Sequence, residues 1–220
     1  MATTTKGRIL DAAERLFADH GFTATSLRDI TNEAEVNLAA VNYHFGSKEA
    51  LLIAVLKRTW SPINRARLNR LDALEQKTAG APVPTESLVR AFLTPLFEEW
   101  CEWGKSEPKF LRLVGRMHGE VDPKLRAKFI QPFEQMLLRF SAAFQRSLPD
   151  LDATEVHWRV LFLVGSMAYT VTWGTTVNLT DSAARRDPVD ILEDLIQFAA
   201  TGMTAPVPQT VGVRRTRRTR

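Results

Sequence analysis

Cysteine is nearly absent from this chain, with Cys101 alone among 220 residues. A single thiol excludes an intrachain disulfide and any multi-cysteine metal site, and it suits a protein of a reducing compartment. Long apolar runs are also missing. The longest, Val160 to Trp173, is interrupted by Thr170 and Thr172 and is shorter than the roughly 20 residues that cross a hydrocarbon core. Met1 to Gly7 is polar, without the apolar stretch of a signal peptide, so a cytoplasmic protein with no membrane partner is expected. Catalytic motifs are lacking as well. No Gly-rich phosphate loop, H-E-x-x-H, nucleophile elbow or paired carboxylate occurs, and nothing orients Cys101 toward His118 or His157 as a thiol nucleophile or metal ligand. An enzyme, a metal site and a cofactor are therefore not expected. Strand alternation and internal repeats are absent too, which leaves helices.

What is present is an ordinary globular balance, 45% hydrophobic and 25% charged residues in 24.8 kDa, enough for one core or two modest ones. Lys and Arg number 29 against 25 Asp and Glu, and the excess is unevenly placed. Residues 1–58 carry seven of each sign, residues 59–213 are one charge negative, and Arg214, Arg215, Arg217, Arg218 and Arg220 supply the surplus. The basic balance thus belongs to the tail, where the plainest reading is a solvated segment that attracts DNA nonspecifically at most.

Helical spacing is clearest in the first fifty residues. Ile9, Ala12, Ala13, Leu16 and Phe17 repeat at helical intervals and Gly21 closes that helix, giving about Lys6 to His20. Ser26 and Asp29 have capping-box spacing ahead of Leu27 and Ile30, predicting a short helix that ends near Glu35. Asn37 caps a third over Leu38 to His44, and Gly46 with Ser47 opens a fourth. Pro62 either kinks that fourth helix or marks a new one. Thr78 to Pro84 reads as a loop, Thr85 restarts a helix, Phe110 to His118 is a short one, and Lys124 to Leu148 a long one crossed by Pro132. Thr154 to Val177 is apolar on nearly every face and Val189 to Met203 is last. Thr204 to Arg220 lacks periodicity and is expected to be disordered.

Two short helices joined by a tight turn have the dimensions of a helix-turn-helix, whose second helix enters a major groove. Ile30, Ala34, Val36, Val41 and Phe45 can pack inward, leaving Asn37, Leu38, Ala39, Asn42, Tyr43 and His44 outward. Asparagine pairs with adenine, and Ala or Leu packs on a thymine methyl, so Asn42, Leu38 and Ala39 are candidate base readers. Tyr43, His44, Lys48 and the Thr25 hydroxyl suit phosphate, with Ser26 and Asn37 beside them at helix N-termini.

Ile9 to Phe17, Gly21-Phe22, Thr25 to Ile30, Val36-Asn37 and the run Val41-Asn42-Tyr43-His44-Phe45-Gly46-Ser47-Lys48-Glu49-Ala50-Leu51 closely resemble the N-terminal domain of TetR-family transcriptional regulators. That resemblance implies a three-helix DNA-binding head, a helical body for ligand binding and dimerisation, and an effector that releases DNA. Two positions depart from the family pattern: Glu35 stands where Gly is common, which predicts a strained turn, and Asn42 stands where Tyr is common, which bears on the operator read. Glu155 to Gly165, with Trp158-Arg159-Val160, Phe162 and Gly165, resembles the branch of the family that senses long-chain fatty acids or acyl-CoA. Phe110-Leu111-Arg112-Leu113, Phe198-Ala199-Ala200 and Gly202-Met203 add to that likeness.

The expected architecture is all-α: a helix-turn-helix head over 1–50, a body over 51–203 bridged by the helix that starts near residue 47, and a basic tail over 204–220. Phe97, Trp100, Trp103, Met117, Phe133, Met136, Phe140, Trp158, Phe162, Met167, Tyr169 and Trp173 are candidates for an apolar effector pocket. About a third are expected to line it, because such stripes are usually core. Arg112, Arg116, His118 and Arg159 are the polar groups available for a carboxylate or phosphate head group. The expectation is a homodimeric repressor on a palindromic double-stranded DNA operator, released by a small apolar or acyl effector. An acyl-lipid carrier with a vestigial head is the alternative.

Overall fold

The computed structural model describes residues 4–103, 127–128, 130–173 and 186–207. Eight α-helices and no strand occur among them. The head contains α1 (Thr5–His20), α2 (Leu27–Glu33) and α3 (Leu38–Phe45), and its boundaries follow from capping chemistry. Thr4 Oγ1 accepts from Gly7 N–H at 3.1 Å, and Gly21 ends α1 at φ 84°. Ser26 and Asp29 form a reciprocal capping box, with Oγ accepting from Asp29 N–H at 3.1 Å and the carboxylate from Ser26 N–H at 2.8 Å. Asn37 Oδ1 accepts from Ala40 N–H at 2.8 Å to open α3.

Helix α2 stops two residues before the predicted Glu35. Glu35 adopts a left-handed φ of 51°, so that its N–H donates to Asn32 O at 3.2 Å and Val36 N–H donates to Thr31 O at 3.0 Å. This is a Schellman closure built on glutamate where glycine is usual. Ile9, Ala13, Phe17, Ile30 and Val41 meet in the core of the head and are fully buried.

Helix α4 (Lys48–Lys77) runs without a break through Pro62, so the continuous form of the two sequence alternatives is the one realised. Thirty residues make a rod of about 45 Å. Its first turns bury Leu51, Leu52 and Val55 against the head, and its later turns bury Trp60, Ile63, Arg67 and Leu71 in the body. The body continues with α5 (Thr85–Trp103), α6 (Glu134–Ser147), α7 (Ala153–Trp173) and α8 (Pro188–Thr204). Helix α5 lies between α4 and α8, with α6 and α7 closing the other side of the core.

Pro132 does more than cross a long helix, as had been expected of it. Residues Gln131–Phe133 form a 3-10 turn and α6 begins only at Glu134, since proline offers no N–H to an α-helical ladder. Helix α8 starts at Pro188 behind the Asp187 cap and ends at Thr204, one residue beyond the predicted span at each end. The predicted helix over Phe110 to His118 and the segment beyond residue 207 lie outside the described residues. Among the described residues no helix is long and apolar enough to cross a membrane.

Candidate nucleic-acid interface and cavity

Helix α3 buries Val41 completely and packs Ala40 and Phe45 against the core of the head. Leu38, Ala39, Asn42, Tyr43 and His44 are all exposed, Tyr43 to 85%. An apolar or aromatic side chain held in water gains nothing for the fold, so this face is available to a partner. The Tyr43 and His44 rings meet edge to face with centroids 5.1 Å apart, which limits their rotamers. Gly46 at φ 77° ends the helix, and Ser47 Oγ caps α4 by accepting from Ala50 N–H at 3.1 Å.

The residues around α3 divide into open and committed groups. Ser26 and Asn37 are exposed, but their side-chain oxygens are held as helix caps. Thr25 was expected to meet phosphate, and its side chain instead turns inward. It is 2% exposed and its Oγ1 lies 2.8 Å from Gly21 O and 3.2 Å from Leu16 O, tying the α1–α2 turn to α1. Lys48 is half-buried: its Nζ donates to Thr25 O at 2.7 Å and sits 4.3 Å above the Phe22 ring. Burial lowers its pKa from the usual lysine value, yet one hydrogen bond leaves two of the three ammonium donors for a phosphate. Hydrogen bonds from the Ser26 side chain and backbone hold the Asp29 carboxyl below the usual aspartate pKa.

Two ion-pair sets brace the head. Arg15 pairs with Glu33 across α1 and α2, while Arg58 of α4 reaches Asp11 at 2.6 Å and also Glu14, both on α1.

In the body, a cavity of about 140 Å³ is walled by α4, α5, the 3-10 turn, α6 and α7. Among the residues singled out in the sequence, Phe133, Met136 and Met167 line it, beside Trp60, Phe92, Leu96, Leu137, Val164 and Val171. Phe97 and Trp100 are buried against each other at 5.2 Å and do not reach the cavity. Phe140 is core, packed on Phe92. Trp158, Phe162, Tyr169 and Trp173 are exposed on the outer side of α7. Arg159 is committed elsewhere, with Nη1 donating to Met203 O and Ala205 O at 2.7 Å and Nε to Glu155 Oε1 at 2.8 Å, which closes the C-terminus of α8. Arg112, Arg116, Met117, His118 and the side chain of Trp103 lie outside the described residues.

The charged group in the cavity wall is one the sequence did not suggest, Arg67 of α4. It is fully buried, with Nε donating to Phe92 O at 2.7 Å, Nη1 to Asn64 Oδ1 at 3.1 Å and Nη2 to Met167 Sδ at 3.1 Å. The guanidinium also lies 4.5 Å from the Phe92 ring centroid. Burial pushes its pKa down to about 9, so it remains a cation at neutral pH. Its place was readable in principle: Trp60, Ile63, Arg67 and Leu71 recur at helical intervals on the buried stripe of α4.

Residues 9–55 match the family model described as bacterial regulatory proteins, tetR family, and residues 90–202 match that of the tetracyclin repressor-like C-terminal domain. The chain belongs to the TetR family. It is a TetR-family transcriptional regulator with a helix-turn-helix head and a helical C-terminal domain, as the resemblance implied. Relatives include the HTH-type transcriptional repressor NicS of Pseudomonas putida, 37% identical over 36% of this chain and 37% of that protein. The A-factor receptor protein of Streptomyces griseus is 30% identical over 59% of this chain and 52% of that protein. The matches thus span about a third to a half of these relatives. Among solved structures, the regulator FadR of Bacillus subtilis in complex with stearoyl-CoA superposes with a TM-score of 0.64 at 16% identity, covering 89% of this chain and 97% of that one. That likeness is one of fold.

Proposed function

We propose that this TetR-family regulator is a ligand-controlled repressor that binds a palindromic operator as a homodimer in the cytoplasm. The head, residues 1–50, reads DNA, and the body, residues 51–203, dimerises and holds the effector. The exposed face of α3 carries the reading. Leu38, Ala39 and Asn42 are free for base edges, and Tyr43, His44, Lys48 and the helix caps at Ser26 and Asn37 face the flanking phosphates. Thr25 acts through the backbone it fixes. The body offers a largely apolar cavity on the same helix, α4, that packs against the head. A ligand that fits better when the two heads are wrongly spaced lowers operator affinity by that difference in binding free energy.

Selection from random DNA tests the reading, because a dimeric regulator enriches a palindrome with half-sites about 34 to 36 Å apart or a multiple of that distance. An acyl-lipid carrier with a vestigial head enriches none. Within the selected operator, Asn42→Ala is expected to relax preference at particular base pairs by about 1–3 kcal/mol each. A uniform loss over all sequences would remove Asn42 from the base readers.

A further inference from the structure

Arg67 is a cation in an apolar wall. Among the described residues no Asp or Glu pairs with it, and its partners are a carbonyl, an amide oxygen and a thioether, all neutral. Of the five guanidinium N–H groups, these three contacts use three, and thioether sulfur is a weak acceptor. Ion pairs elsewhere in the chain are common, with Arg58, Arg70, Arg90 and Arg139 each meeting at least one carboxylate. The arginine facing the cavity is fully buried and has no anion among the described residues.

A buried, uncompensated charge is costly to the folded state, and an anion placed against it recovers much of that cost in a low-dielectric site. The Phe92 contact has a structural reason, since Pro95 disturbs the hydrogen-bond ladder of α5 beside that carbonyl. One carbonyl does not need a guanidinium, however: that bond uses only Nε, and beyond the contacts with Asn64 and Met167 one N–H remains on each of Nη1 and Nη2. Apart from Thr172 and the Trp60 indole, the rest of the lining is hydrocarbon, aromatic ring and thioether, among them Phe133, Met136 and Val164. At about 10–15 Å³ for each water-sized atom, the cavity of about 140 Å³ has room for roughly ten non-hydrogen atoms.

We propose that the cavity binds a small amphipathic monocarboxylate, with its carboxylate on the Nη1 and Nη2 edge of Arg67 and its apolar body against Phe133, Met136 and Val164. This assignment rests on the reading of the cavity as the effector site and narrows it. A thioester-linked acyl chain presents no carboxylate to Arg67, so the free acid is the matching species. Medium-chain aliphatic and arylacetic acids share the required chemistry and size.

Titration calorimetry on the full chain without DNA provides the test, with octanoate, phenylacetate, octan-1-ol, 2-phenylethanol and octanoyl-CoA as probes. Octanoate or phenylacetate is expected to bind about tenfold or more tighter than the alcohol of the same shape, as a charge-assisted hydrogen bond provides. Whichever acid binds better tells an aliphatic source from an aromatic one. Arg67→Met, close in volume and apolar, is expected to erase the preference and leave acid and alcohol within about twofold. Arg67→Lys is expected to keep part of it. Equal binding of acid and alcohol by the unaltered protein overturns the assignment even if the variants fail to fold, and so does tighter binding of octanoyl-CoA than of octanoate. Operator affinity is measured separately. Release of DNA by octan-1-ol alone would sink the carboxylate and spare the ligand-controlled repressor; Arg67-dependent acid binding without any operator would do the reverse.

Discussion

At Glu35 the backbone does what a glycine normally does, and the cost is calculable. A left-handed conformation costs a non-glycine residue roughly 1–2 kcal/mol, while glycine returns part of that through its larger unfolded-state entropy. Glu35→Gly is therefore expected to stabilise the chain by up to about 1 kcal/mol, a rise of roughly 2–4 °C in a protein of this size. Thermal and urea unfolding at fixed protein concentration check it, and a fall in stability would mean that the glutamate side chain contributes more than its backbone loses. This strain was legible in the sequence because a Schellman turn depends on local spacing, and residues 31–36 contain all of it. The inward turn of the Thr25 side chain and the place of Arg67 in the cavity wall escaped the sequence for the opposite reason. The acceptor at Leu16 O becomes a neighbour of Thr25 only when the turn folds back on α1, and Met167, a hundred residues from Arg67, meets it only in the assembled body. Residues 104–126, which hold Arg112 and Arg116, lie outside the description altogether.

Among the elements, α4 is the one that touches both sites. Arg58 clamps it to Asp11 and Glu14 of α1, Asn64 Nδ2 donates to Pro132 O at 3.0 Å, and Arg67 faces the cavity three residues further on. Pro62 sits in the middle of this span, where an interior proline costs about 3 kcal/mol. Burial of Trp60 and Ile63 on either side offsets it, which is why sequence punctuation alone left the helix undecided. A continuous rod allows a shift at the cavity wall to be felt at the head. Arg58→Ala is expected to leave octanoate affinity without DNA within about twofold and to reduce the ratio of operator affinities without and with octanoate several-fold, since the coupling available to such a system is about 1–3 kcal/mol. Calorimetry and fluorescence anisotropy on a labelled operator measure the two quantities. An unchanged ratio would place the coupling in the packing of Leu51, Leu52 and Val55 instead of the ion pairs.

For the whole molecule, the outer faces of α7 and α8 make the strongest demand for a second chain. Trp158, Phe162 and Tyr169 on α7 and Phe198 on α8 are each more than half exposed, and large apolar side chains gathered on one side are unusual for a monomer. Nothing lies within 4 Å of where a side chain at Gly165 or Gly202 would begin, so a partner helix has room to approach closely. A two-fold axis through this face would place each residue opposite its own copy, so one substitution is made twice in the interface. Phe162→Asp introduces two desolvated carboxylates at once, while its 66% exposure in the single chain means that the fold itself loses little. The variant is expected to sediment as a 24.8 kDa monomer with unchanged helical circular dichroism. Its operator affinity should fall by about a hundredfold or more, because each head then binds its half-site without the effective concentration supplied by the other. If Phe162→Asp stays dimeric, the interface lies elsewhere; if it becomes monomeric yet holds the palindrome as tightly as before, the two heads do not act together.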